Sequence, residues 1–309
     1  MMDIFNLPNN DINNSVFYTA GSGDTWQTWV KPRNVKFIYI TTIGGGGGGG
    51  SSPNTGAGTN RYGGGGGGCS SMANGLFPAV HLPDILYIQV GYGGLGGVLG
   101  TSGSSGTISY VSTQPNNIRT NVVLASGNSG GGGGGAGTGV AVGAAGTAGT
   151  VLTQVNCGLS YLGSINFNVG QVGLAGGTTN GNSYSYVSFI LPITGGAGGA
   201  GVNSSNATGT GGSLNGGSIW PTIAGGVQTT NTPGGDGNSG FSSLPSSNTN
   251  RPLPLFSTGG AGGGSSSLSS GGNGGNGGFG SGGGGGAGGA TAPGRGGNGG
   301  DGLVIITCF

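Results

Sequence analysis

His81 is the only side chain in the sequence that ordinarily titrates near neutrality, so any Ser- or Thr-based hydrolytic arrangement would need it as base. It stands between Val80 and Leu82-Pro83, a setting that favours a structural role over a catalytic one. The acids offer no better prospect. There is no Glu, and the six acids are Asp3, Asp11, Asp24, Asp84, Asp236 and Asp301, dispersed and mostly in turn contexts. Paired-carboxylate hydrolysis needs two acids at one cleft. Cys69, Cys157 and Cys308 are odd in number and far apart, which gives neither a CxxC metal pair nor a closed disulfide framework. They read as small buried hydrophobes. Glycine is everywhere, but the Gly-Lys-Ser/Thr element of a phosphate-binding loop is absent. The expectation is a protein without catalytic residues, metal site or cofactor.

Aromatic residues suggest contact rather than catalysis. Trp220, Phe241, Tyr92 and Tyr62 sit beside Gly, Ser and Asn, a composition that suits recognition surfaces. Core packing or capping of a glycine bundle is the competing role for each. Charge narrows the partners further. The seven Lys and Arg are scattered, and Arg295-Gly296-Gly297 is a lone RGG triplet, whereas nucleic-acid binding rests on clustered cations that displace phosphate counterions. No nucleic acid is expected. No stretch approaches the ~20 apolar residues of a membrane span, and Met1 to Phe17 is Asn-rich without the pattern of a signal peptide. The expectation is a soluble, unprocessed chain.

The elements that must carry these residues are unusual. Of 309 residues 86 are Gly, yet 32% are hydrophobic and 4% charged, with net charge +1. Disorder goes with low hydrophobicity and high net charge, so this chain must fold or aggregate. Glycine tracts begin repeatedly where an apolar run ends. Val35 to Ile43 leads to Gly44–Gly50, Val122 to Ala125 to Gly130–Gly135, Phe189 to Thr194 to Gly195–Gly199, and Leu253 to Thr258 to Gly259–Gly264. β-Branched and aromatic enrichment between Gly and Pro predicts strands at Val16–Thr19, Thr25–Val30, Val35–Ile43, Ile85–Val90, Thr107–Ser112, Ile118–Leu124, Ile165–Val169, Tyr184–Ile193 and Leu303–Phe309. The last, the most apolar, is expected to complete a sheet with partners far earlier in the chain. No window has helical periodicity with caps. The chain is all-β with almost no α-helix. Leu86 to Gly97 resembles Ile165 to Gly177, which predicts a repeated strand-plus-tract unit.

Ordered polyglycine must offset the largest backbone entropy loss of any residue. Extended left-handed helices with three residues per turn leave their N–H and C=O groups pointing outward. Without Cβ atoms, neighbouring helices can approach closely enough to pair them. Strict Gly-Gly-X runs at Gly271–Phe279 and Gly296–Asp301 place every X on one edge, and pure tracts such as Gly63–Gly68 and Gly282–Gly286 suit a bundle centre. Residues 1–15 read as an attachment arm, and 16–309 as the glycine-rich body. A flexible linker is the alternative reading of the tracts, and the strand junctions argue against it.

Asp24 to Pro32, then Val35 to Ile43 running into Gly44–Gly50, and the terminal Gly299 to Ile306 resemble the glycine-rich domains of bacteriophage tail fibres and other virion proteins. Pro83 to Gly91 and Val122 to Ala125 are similar to the extracellular glycine-rich domain of anaplastic-lymphoma-kinase-type receptors, whose signal peptide, membrane span and cysteine density this chain lacks. The resemblance implies a jelly-roll-like β-sandwich with an inserted polyglycine-II helix bundle. For function it implies a rigid virion appendage or adhesin, localised to the virion. Its partners would be capsid, portal or tail proteins and a host surface receptor, and its assembly a homotrimer. A capsid-decorating protein without receptor contact is the alternative, and an ice-binding bundle a remote one.

Overall fold

The computed structural model describes residues 15–21, 25–116, 121–126, 130–151, 163–185, 193–216, 221–244 and 255–309. Alternating apolar and polar side chains with β-branched enrichment form two antiparallel sheets that share one core. The larger sheet contains β1 (Ser15–Thr19), β3 (Phe37–Ile43), β4 (Met72–Pro78), β8 (Ser164–Asn168) and β13 (Leu303–Cys308), in the order β1-β13-β3-β4-β8. The second contains β2 (Gln27–Val30), β5 (Ile85–Gln89), β6 (Tyr110–Ser112) and β7 (Val122–Ala125), in that order. Four short strands, β9 (Tyr184–Ser185), β10 (Leu214–Asn215), β11 (Ser242–Ser243) and β12 (Phe256–Ser257), pair two by two. The described residues hold a single turn of 3-10 helix, Ala79–His81. The architecture is an all-β sandwich.

Ile38 and Ile40 of β3, Phe77 of β4 and Val304 and Ile306 of β13 meet Trp29, Leu86, Ile88, Val111 and Leu124 of the facing sheet. The alternate residues Ile43, Leu303 and Ile305 pack on the opposite face with Cys69, Met72 and Ile193. β13 is therefore covered on both faces, which explains its unbroken apolar run. It sits between β1 and β3, with Ile306 opposite both Val16 and Ile40. The terminal run thus completes a sheet with the earliest strands.

The glycine tracts are ordered helices, and the 44–51 helix shows how. Gly45, Gly48 and Ser51 donate to Thr107, Ser104 and Thr101; Gly46 and Gly49 donate to Gly300 and Gly297; Gly47 and Gly50 donate to Gly68 and Gly65. Three more helices donate into it, from Gly131 and Gly134, Gly94 and Gly97, and Gly283 and Gly286. These N–H···O distances lie between 2.8 and 3.0 Å. Every third N–H thus meets the same neighbour, as three residues per turn require. Partners run backward along the chain in the first three helices and forward in the other three. The helix is ringed by three antiparallel and three parallel neighbours. The same enclosure surrounds 63–70, 194–202, 258–266 and 280–288, whose residues are almost uniformly buried. Burying so many backbone groups is possible only because each finds a partner, an orphan costing roughly 1–3 kcal/mol.

Close approach, rather than unusual dihedrals, demands the glycines. Among the described glycines only Gly58, Gly100 and Gly280 have positive φ. A Cβ on Gly49 would instead lie 2.0 Å from the Gly284 carbonyl oxygen, and one on Gly67 would lie 2.0 Å from that of Gly47. Outer helices carry a side chain at every third position. In the 293–301 helix these are the exposed Arg295, Asn298 and Asp301, and in the 270–278 helix Asn273 and Asn276.

Candidate functional site

The register of the sandwich gives the molecule two ends. Ser15 pairs with Thr307 and Thr19 with Leu303, which directly follows the bundle residue Gly302. The described chain therefore enters, and Phe309 lies, on the side of the sandwich away from the bundle. The bundle helices are joined at its far end by turns near residues 53–60, 98–101, 138–141, 203–207, 229–232 and 267–270. Eight residues of such helix span about 25 Å at a rise of about 3.1 Å per residue. One end is a base, the other a tip.

At the base, the turn after β2 and the 3-10 turn form a groove of about 560 Å³ lined by Val30, Lys31, Arg33, Val35, Val80 and Asp84. Lys31 is held rather than free. Its Nζ lies 3.0 Å from Asp84 and donates to the carbonyls of Ala79 at 3.1 Å and Leu82 at 2.8 Å. Val80 is 86% exposed and Val30 66%, and Ile85 is also exposed beside them. Apolar side chains clustered with pinned polar groups at a surface mark contact sites more often than isolated exposed residues do. His81 belongs to this turn and is exposed. Among the described residues no three His, Cys, Asp or Glu stand close enough to share a metal ion.

At the tip, Arg61 knits the turns together. Its backbone pairs with Val202 in both directions, Nη1 donates to Gly56 O at 2.7 Å, and Nη2 reaches Ser267 O at 3.4 Å. The side chain is fully buried and Nε has no partner, so desolvation lowers the guanidinium pKa. Asn60 Oδ1 accepts the Ser204 N–H at 2.7 Å, and Asn203 Oδ1 accepts those of Ser205 and Ala207. Leu99, Val140 and Leu268 stand exposed on these turns. The tip is a pre-ordered surface of Asn, Thr and Ser with a few apolar side chains.

The three aromatic candidates among the described residues are not brought together. Tyr62 begins a helix at the tip, half-buried, its carbonyl accepting from Ser52 Oγ. Tyr92 lies at the sandwich end of its helix and donates from its hydroxyl to Gly21 O at 2.7 Å. Phe241 is also at the sandwich end, packed edge-on against Phe256 with centroids 5.3 Å apart. Trp220 and Cys157 lie outside the described residues, as does the 1–14 part of the expected arm. Cys69 and Cys308 are free, buried thiols. Burial pushes the Cys69 thiol up to about 12, against the milder opposing effect of the Gln171 N–H. Arg61 and the Asn203 turn at the tip escaped sequence reasoning, and their signal was the Thr, Asn and Ser clusters that interrupt the glycine period; Val30, Lys31 and Val80 at the base lie in no such cluster.

Residues 19–130 match the model of a glycine-rich domain family. The matched stretch carries β2 to β7 and the helices 44–51, 63–70, 91–98 and 101–109. The chain thus contains a glycine-rich domain similar to that family, embedded in a bundle completed by later residues. Comparison with curated proteins gives no match. Among the described residues no helix is long and apolar enough to cross a membrane.

Proposed function

We propose that this chain is a non-enzymatic structural protein of a virus particle, a rigid appendage of tail-fibre type. Its base attaches to other virion proteins and its tip meets the host surface. The observation that carries this reading is the two-ended build. The chain enters at the base, beside the Val30/Val80 groove, while Arg61 and Asn60 order the opposite turns. A hydrogen-bonded rod between two contact surfaces transmits position rather than chemistry. The resemblance of its strand-to-tract junctions to phage glycine-rich domains points the same way.

Particles assembled with a chain lacking residues 1–14 provide the test. Loss of incorporation with the body still folded is the expected result; an unfolded product would overturn the division into arm and body. Purified protein should bind host cells, and exchanging the 203–207 turn should abolish that binding. Incorporation without any cell binding would favour a capsid-decorating role instead.

A further inference from the structure

One lateral face of the bundle carries a built array of amides. In each outer helix there, the N–H of every third residue points to the surface and is capped by a side chain of the adjacent helix. Asn298 Oδ1 accepts Gly96 N–H at 2.8 Å, and Asn276 Oδ1 accepts Asn298 N–H at 2.9 Å. One turn further along, Asn273 Oδ1 accepts Arg295 N–H at 2.9 Å, and Asp236 Oδ1 accepts Asn273 N–H at 2.7 Å. At the sandwich end, Asp301 Oδ1 accepts Gly93 N–H at 2.8 Å. Because each partner is a backbone donor, the amide oxygen must face it, and this settles the orientation of every Asn side chain. The Nδ2 groups of Asn273, Asn276 and Asn298 are then turned to solvent on exposed but immobilised side chains. Successive ranks are three residues, about 9 Å, apart along each helix.

This face also holds a groove of about 380 Å³ between the 270–278 and 293–301 helices, lined by Asn276, Phe279, Asn298 and Asp301. On the next helix the exposed Leu95 and Val98 add an apolar edge beside the amides. Such a surface fits few ligands. Asp236 and Asp301 outnumber the exposed Arg295 of the same row and disfavour a polyanion, the fixed amides disfavour a purely apolar partner, and single carboxylates one to a helix make no cation cage. What it matches is a chain of hydroxyls with apolar C–H faces. We propose that the Asn276/Asn298 face binds an extended neutral saccharide, with the Nδ2 groups donating to sugar hydroxyls and Phe279 and Leu95 covering ring C–H groups. Because the donors are already immobilised, binding them costs little further side-chain entropy. The proposal concerns the side of the rod and does not depend on which end attaches to a particle.

The experiment titrates the full chain with soluble oligosaccharides of cellulose, chitin and starch by calorimetry, and follows the side-chain amide resonances of Asn276 and Asn298. The double variant Asn276→Asp/Asn298→Asp keeps both backbone caps and removes both outward donors. The expected result is saccharide binding that shifts those two amides and weakens about tenfold or more in the double variant, with Tm unchanged. Three results would overturn the proposal: no binding of any of the probes, binding that leaves the two amides unmoved, or equal affinity in the double variant. Should the double variant lower Tm, the amide shifts of the wild-type chain decide alone.

Discussion

A methyl group added to Gly47 would sit 2.1 Å from the carbonyl oxygen of Gly132, whereas one added to Gly56 would meet nothing within 4 Å. The first clash is with backbone held from several sides, so it cannot relax by a rotamer change. Gly47→Ala should destabilise the chain by about 3 kcal/mol or more, beyond the usual overpacking cost, and Gly56→Ala by less than about 0.5 kcal/mol; chemical denaturation distinguishes them. The pure tracts were legible as bundle centre because nothing but glycine could fill them. Gly75 was not legible, because Asn74-Gly75 signals a turn. It lies inside β4 instead, where a Cβ would come within 2.5 Å of the Phe77 ring. Cys69 gives a pH dependence. Its thiol stays protonated in the folded chain up to about 12, against an ordinary 9.0. The folded state therefore holds more protons in that window, and the stability, complete below pH 9, is lost as pH rises toward 12. Cys69→Ala should reduce this alkaline loss in a series of denaturation curves; an unchanged slope would assign it to Tyr18, Tyr110 and Cys308, whose ionisations burial also raises.

At the scale of elements, the strand-to-tract junction was the most legible feature. β3 does run into 44–51 and β5 into 91–98, and the expected echo returns where β8 runs into 169–177. β4 was missed although it is paired on both sides, by β3 and β8, because Met72–Pro78 mixes Asn, Gly and Pro with its apolar residues. The run Thr107–Ser112 was expected as one strand, and only Tyr110–Ser112 is strand. Thr107 belongs to a bundle helix, accepting from Gly45 and donating to Tyr92. A three-residue helix makes a further prediction about phase. One extra glycine after Gly47 rotates every later N–H by a third of a turn and misdirects each bond to Ser104, Gly297 and Gly65. Three extra glycines restore the phase and lengthen the helix by one turn. The single insertion should lower Tm more than the triple one. The reverse order would contradict the threefold pairing.

For the whole molecule, the two classes of contact differ in legibility. The strands and the glycine helices follow from composition and periodicity, and the sandwich from the family resemblance, but the ends depend on which turns the pairing gathers. Arg61 and Ser267 are 206 residues apart in sequence, and no local pattern brings them together. Of the aromatic residues singled out by composition, Tyr62 stands at the tip, and Tyr92 and Phe241 where the bundle meets the sandwich. All of these surfaces presuppose that the glycine tracts are rigid, and backbone amide hydrogen exchange tests that most directly. The N–H groups of Gly45–Gly50, Gly63–Gly68 and Gly282–Gly286 should exchange as slowly as those of β3 and β13, and be released only by global unfolding. Exchange of those glycines at unstructured-chain rates, while β3 and β13 remain protected, would contradict the account.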